Sequence, residues 1–126
     1  MKRNVLGLIL VLCLLPMLII PVAAADYQNS HIGTYDMTGG IFYKQAFSAG
    51  TEMTITVVPT KGTAGCSMTI YTAENSLLGW KSVDPINVVP STDRSVTTYT
   101  TTKDIDGIYF RNWSGERWTG SFIVGW

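Results

Sequence analysis

The sequence predicts an all-β fold, namely a single antiparallel β-sandwich or jelly roll of about seven to eight short strands. After residue 25, no segment repeats apolar residues at helical spacing over three turns, and strand-forming Thr, Val, Ile, Tyr, Phe and Trp dominate between Gly, Asn, Asp, Ser and Pro. Alternation is clearest in residues 51–58, where Met53, Ile55 and Val57 are separated by threonines. Short strands at this spacing are typical of sandwiches and jelly rolls.

The first 25 residues have the pattern of an export signal. Lys2 and Arg3 precede an apolar run over residues 5–20, and the run is followed by a proline and by small residues that end at Ala25. A retained membrane anchor is the alternative, but the run is short for a spanning helix and no basic cluster follows it. We expect residues 1–25 to be a cleaved signal peptide and residues 26–126 to be one secreted, extracellular β-sandwich domain.

The charge of the expected mature chain excludes two classes of partner. The whole chain has 9 basic and 9 acidic residues, and removing Lys2 and Arg3 leaves 7 basic against 9 acidic, a formal charge of about −2. No cluster of Lys and Arg is present in this part of the sequence. We therefore expect neither nucleic-acid binding nor electrostatic docking on an anionic membrane.

Turn signals divide the domain into strands. After a short edge strand near Ile32, we predict strands over 41–47, 51–58, 67–72 and 77–83, with the polar residues 73–76 as the turn between the last two. Residues 84–90 are bordered by prolines and are not expected in a central strand. The threonine-rich strand 95–102 is predicted at an edge or with one face in solvent, and strands 107–113 and 118–126 form a closing hairpin. Its predicted core side chains are Ile108, Phe110, Phe122 and Val124.

This closing hairpin carries a family resemblance. The run from Asp106 to Trp113, then Gly115, then the run from Gly120 to Val124 resembles the last hairpin of bacterial pre-peptidase C-terminal domains. The resemblance covers roughly the last 25 residues. It implies an extracellular, non-catalytic β-sandwich of a kind usually appended to secreted enzymes, whereas no enzyme domain is recognised in these 126 residues.

Catalytic and metal-binding residues are scarce. Nucleophilic catalysis needs a base beside the nucleophile, and after residue 25 only His31 and Cys66 offer such a pair. Cys66 has no partner cysteine there and is expected to be a buried, inert thiol, because free cysteine behaves as a small hydrophobic residue. A secreted protein without a disulfide is more typical of bacteria than of eukaryotes. Asp104 and Asp106 suggest the opening of a calcium loop, although two aspartates also make an ordinary turn. We expect no catalytic residues, no closed zinc site and no required cofactor.

Aromatic side chains in the closing hairpin form the candidate binding site. We predict that Trp113 and Trp118 face outward beside Arg111 and Arg117, where they would stack on sugar rings or anchor a protein partner. The alternative is that the tryptophans cap the ends of the core. The sequence favours a secreted, non-enzymatic binding module whose ligand is a cell-surface glycan or an extracellular protein. The alternative function is a bacteriocin-like or membrane-active toxin.

Overall fold

A computed structural model describes residues 27–126, so the predicted signal peptide lies outside the described residues. The domain contains eight strands and confirms the all-β prediction. The strands are β1 (Ser30–Met37), β2 (Gly40–Phe47), β3 (Glu52–Lys61), β4 (Ser67–Ser76), β5 (Gly79–Pro90), β6 (Ser95–Thr100), β7 (Ile105–Asn112) and β8 (Trp118–Gly125).

The strands form two four-stranded antiparallel sheets. One sheet has the order β1-β8-β3-β6 and the other has the order β2-β7-β4-β5. Strand β4 pairs with β5, β3 with β6, β2 with β7 and β1 with β8, so the chain folds as one long nested hairpin wrapped into a sandwich. This is a jelly roll. The edge position of the threonine-rich β6 was predicted correctly.

Alternating side chains fill the space between the sheets. Met53, Ile55 and Val57 of β3 are fully buried, as the alternation predicts, and they face Met68 and Ile70 of the other sheet. The four core residues predicted in the closing hairpin are also buried: Ile108, Phe110, Phe122 and Val124. These side chains belong to the apolar core that stabilises a domain with no disulfide among its described residues.

The turn of the β4–β5 hairpin was predicted at the wrong residues. Residues 73–76 continue β4, and the turn consists of Leu77 and Leu78, with Ser76 paired to Gly79. The backbone of Gly79 has a φ of 104°, which favours glycine at this position. Strand β5 then runs through Pro85 to Pro90 as an edge strand interrupted by two bulges.

The prediction that Trp118 faces solvent is wrong. Trp118 begins β8, has 1% of its surface exposed and belongs to the core cluster. Along β8 it has the same parity as Phe122, so the two side chains point between the sheets. Its indole Nε1 donates a hydrogen bond to Oγ1 of Thr63 at 2.8 Å, which satisfies the polar atom of an otherwise apolar ring.

Candidate ligand-binding surface

The outer face of the β2-β7-β4-β5 sheet carries a continuous row of aromatic rings. Because Phe110 of β7 points inward, its neighbours Tyr109 and Arg111 point outward. In the register of the sheet, Tyr109 lies between Phe42 of β2 and Tyr71 of β4. We name this surface the aromatic band, and its members are Phe42, Lys44, Tyr71, Trp80, Tyr109, Arg111 and Trp113.

Tyr109 is the centre of the aromatic band. Its ring stacks on Phe42 with centroids 4.3 Å apart and approaches Tyr71 with centroids 6.1 Å apart. The Tyr109 ring and hydroxyl also lie against the backbone of Gly40, where a Cβ atom would collide with them. Glycine at position 40 therefore allows this ring to cover the neighbouring strand. The three half-buried rings extend across three adjacent strands.

Trp80 forms one end of the band. Its indole lies 5.8 Å from Phe42, measured between ring centroids, and covers Gly107 of β7. The ammonium group of Lys44 is 5.4 Å from the centroid of the indole, which is within the range of a cation–π interaction. A half-buried tryptophan with a cation beside it thus closes this end of the surface.

Trp113 forms the other end of the aromatic band, where a cation again lies over a tryptophan ring. Its indole is 63% exposed, and its Nε1 donates a hydrogen bond to Oγ1 of Thr69 at 3.2 Å. The guanidinium carbon of Arg111 is 4.5 Å from the centroid of this indole, and Nη1 of Arg111 donates to the hydroxyl of Tyr109 at 3.1 Å. Within residues 27–126, Nε of Arg111 has no hydrogen-bond partner. This Nε atom is itself buried, so its unused hydrogen-bonding capacity is not offered to solvent.

Of the four predicted binding residues, the structure brings together Arg111 and Trp113. Arg117 is exposed but forms a two-contact ion pair with Asp36 of β1, with nitrogen–oxygen distances of 2.7 and 2.5 Å. This hydrogen-bonded partner lowers the pKa of the Asp36 carboxyl and raises the pKa of Arg117. The ion pair therefore holds Arg117 at the β1-β8-β3-β6 sheet, away from the aromatic band, and Trp118 lies in the core.

The structure separates the two residues of the candidate catalytic pair. His31 lies near the start of β1, where its ring stacks on Tyr43 with centroids 4.7 Å apart. Cys66 is half-buried just before β4 and packs against the core. That end of β4 lies beside Asn112, which contacts Met37 at the far end of β1. At about 3.4 Å per strand residue, six residues separate the two ends of β1 by roughly 20 Å.

The two aspartates of the suggested calcium loop bind backbone amides. Asp104 accepts a hydrogen bond from the amide of Ala49 at 2.8 Å, and Asp106 accepts one from the amide of Asn75 at 2.8 Å. Over residues 27–126, no group of three or more His, Cys, Asp or Glu side chains is placed to hold a metal ion. Both carboxylates therefore act here as hydrogen-bond acceptors that tie loops and strands together.

Sequence reasoning missed most of the aromatic band. Phe42 and Lys44 have the parity opposite to the core-facing Ile41 and Tyr43, and Tyr109 has the parity opposite to Phe110, so alternation places each of them outside. What alternation cannot provide is the strand order. Only the order β2-β7-β4-β5 brings side chains that are distant in sequence into one row.

Comparison with known proteins adds little. No family model matches the chain, and no curated protein matches it. A structural similarity was found to a chain from Bacillus endospore appendages, described as a novel family of disulfide-linked pili. The two chains are 16% identical, the match covers 78% of this chain and 88% of the other, and the TM-score is 0.36. Residues 27–126 contain no helix of the length and hydrophobicity that crossing a membrane requires.

Proposed function

We propose that this protein is a secreted, non-enzymatic module that binds an extended cell-surface glycan along the aromatic band. The observation that carries the proposal is the row of stacked rings from Trp80 through Phe42 to Tyr109, which the guanidinium of Arg111 links to Trp113. Export rests on the signal sequence of residues 1–25.

The chemistry of the band suits a carbohydrate. Sugar rings have apolar C–H faces that pack on aromatic rings and hydroxyl groups that need hydrogen-bond partners at the rim. Trp113 offers an exposed indole, and Tyr109, Arg111 and Lys44 offer a hydroxyl and two cations beside the rings. From Gly107 to Trp113 the band follows β7 for six residues, or roughly 20 Å. That length favours an oligosaccharide over a single sugar.

Two other ligand classes are less well supported. An extracellular protein would also use exposed Trp and Arg, but lysine is depleted in such interfaces, whereas the ammonium group of Lys44 lies over the Trp80 ring of the band. A membrane-active toxin would not need an ordered band with a cation stacked at each end. The glycan proposal accounts for both the rings and their polar neighbours.

Binding of the mature domain to a panel of immobilised bacterial and eukaryotic glycans tests the proposal. Trp113→Ala should weaken binding of the best glycan about tenfold or more, because it removes the most exposed indole of the band. A matched control is Val96→Ala, which removes an exposed apolar side chain from β6 of the opposite sheet and should leave affinity unchanged. Equal affinity of the Trp113→Ala variant and the wild type would contradict the proposal. Binding to an extracellular protein alone would also contradict it.

A further inference from the structure

The tip of the β4–β5 hairpin exposes two adjacent leucines. Leu77 and Leu78 occupy the two turn positions, and both side chains are fully exposed to solvent. Single exposed apolar residues are ordinary, but two neighbouring leucines with no packing contact are costly to keep in water. A two-residue turn is normally built from Asn, Asp, Gly or Pro, so local turn preference does not explain them.

The tip of the β4–β5 hairpin projects beyond its sheet, on a segment that we call the hairpin arm (residues 74–82). The last pairing of β4 with β7 joins Ala73 to Gly107, so residues 74–82 extend past the last paired residue of β7. Lys103 binds the carboxylate of Glu74 at 2.7 Å, and Asp106 accepts the amide of Asn75 at 2.8 Å. These contacts fix the base of the arm. Both leucines lie at the turn, two residues beyond Asn75 and three beyond Glu74, or about 7–10 Å at 3.3 Å per residue.

We infer that Leu77 and Leu78 insert into the surface of a lipid bilayer. A convex apolar tip needs no matching pocket in lipid, whereas a protein partner must supply one. The height of the tip above its anchors matches the depth of roughly 5–10 Å to which interfacial apolar groups are buried. Behind the leucines lies Trp80, a residue type that favours the level of the lipid headgroups, and Lys81 follows it with a side chain that is 59% exposed and pairs with Glu74 at 3.8 Å.

The charge of the domain indicates how this contact works. The mature chain has a formal charge of about −2, so anionic lipids do not attract it. Attachment through two leucines is hydrophobic, and it should persist on neutral phosphatidylcholine and change little with salt. A second surface of the same molecule that also holds the cell would strengthen the attachment further. The inference shares Trp80 with the aromatic band but does not require that band to bind a glycan.

Flotation of the mature domain with phosphatidylcholine vesicles tests the inference. The double variant Leu77→Thr/Leu78→Thr should bind about 100-fold more weakly than the wild type, or about tenfold per leucine. The matched control, Ile32→Thr/Val96→Thr, replaces two exposed aliphatic side chains on edge strands β1 and β6 and should bind like the wild type. The variant Trp113→Ala should also retain vesicle binding, which separates this contact from the aromatic band.

Quenching by brominated phosphatidylcholine gives a second readout. Bromines near the headgroups should quench the fluorescence of the wild type, and Trp80→Phe should remove most of that quenching. The inference is overturned if the wild type stays unbound, if the double leucine variant binds like the wild type, or if quenching survives in Trp80→Phe. It is also overturned if sedimentation shows that the leucines hold two copies of the chain together and vesicles do not change that state.

Discussion

At the scale of single residues, Trp118 is the largest fully buried side chain, and its indole nitrogen is satisfied by Thr63. Trp118→Ala should therefore lower the free energy of unfolding by about 3–5 kcal/mol through lost burial and a cavity. Trp113→Ala removes a 63%-exposed ring and one exposed cation–π contact, so it should cost no more than about 1 kcal/mol. Urea denaturation of both variants checks this, and equal losses would contradict it.

The two tryptophans also show what parity can and cannot predict. Trp113 was placed outside correctly because Phe110, three residues earlier on the same strand, is a clear core residue. Trp118 was misplaced because it was assigned to the loop side of the hairpin, whereas counting back from Phe122 along β8 puts it inside. The information was present in the alternation. The error came from treating the ends of the hairpin loop as one exposed surface.

Tyr35 presents a buried hydroxyl group. Its side chain is 3% exposed, its hydroxyl has no hydrogen-bond partner among residues 27–126, and burial raises its pKa to about 12. An unfolded tyrosine loses its proton near pH 10, so the unfolded state is favoured as the pH rises from 10 to 12. This should cost about 2–3 kcal/mol over that interval.

Tyr35→Phe tests this account by removing the unpaired hydroxyl. We expect the variant to be more stable than the wild type by about 1 kcal/mol at pH 7 and to lose less stability above pH 10. Some alkaline loss should remain, because burial also raises the pKa of Tyr43. Denaturant titrations at pH 7, 10 and 11 measure both effects. An unchanged alkaline profile would mean that Tyr35 ionises without unfolding.

At the scale of elements, the projecting β4–β5 arm depends on charged contacts at its base. The hydrogen bond from Lys103 lowers the pKa of the Glu74 carboxyl, with a smaller contribution from Lys81. A lowered carboxyl pKa means that the contact is complete above the ordinary pKa and is lost as the pH falls through the folded-state value. NMR titration of the carboxyl carbon should give a pKa for Glu74 below that of an unpaired glutamate.

Lys103→Met should raise the pKa of Glu74 toward its ordinary range, and Lys81→Met should raise it less. A titration that does not respond to Lys103→Met would show that the ion pair is absent in solution.

The position of the turn in this arm could not be predicted from residue preference. Glu74, Asn75 and Ser76 are typical turn residues and Leu77 is a typical core residue, so the local pattern favours a turn over residues 73–76. Tertiary contacts override this local preference for a turn over residues 73–76. Asp106 and Lys103 from another part of the chain bind the polar residues and hold them in strand conformation, so the leucines are left at the tip.

At the scale of the whole molecule, strand content and core parity were predictable, but the sheet order was not. Alternation in residues 51–58 identifies a strand and its buried face. It does not determine that β8 pairs with both β1 and β3, which are distant from it in sequence. Nor does it determine that β7 pairs with both β2 and β4, and the aromatic band depends on that pairing because Phe42, Tyr109 and Tyr71 come from these three strands.

The nested pairing brings the two ends of the described domain together. Asn29 and Trp126 exchange two backbone hydrogen bonds of 2.9 Å. Joining Trp126 to Tyr27 through a short glycine linker and opening the chain between Leu77 and Leu78 would give the strand order β5 to β8 followed by β1 to β4. The pairs remain nested in this permuted chain, with β8 and β1 as the new central hairpin and β4 and β5 as the outermost pair.

We therefore expect the permuted chain to fold into the same sandwich. Its folding rate should be similar to that of the wild type, since the distribution of sequence separations between paired strands is nearly the same. The permuted chain should be less stable than the wild type, because the edge strand β5 is no longer joined to β4 by a covalent turn. The new linker compensates little, because hydrogen bonds between Asn29 and Trp126 already hold the two joined ends together. Circular dichroism and stopped-flow refolding measure structure and rate. A permuted chain that is helical, aggregated or unfolded would show that the β4–β5 hairpin must form first, and that topology alone does not govern folding of this domain.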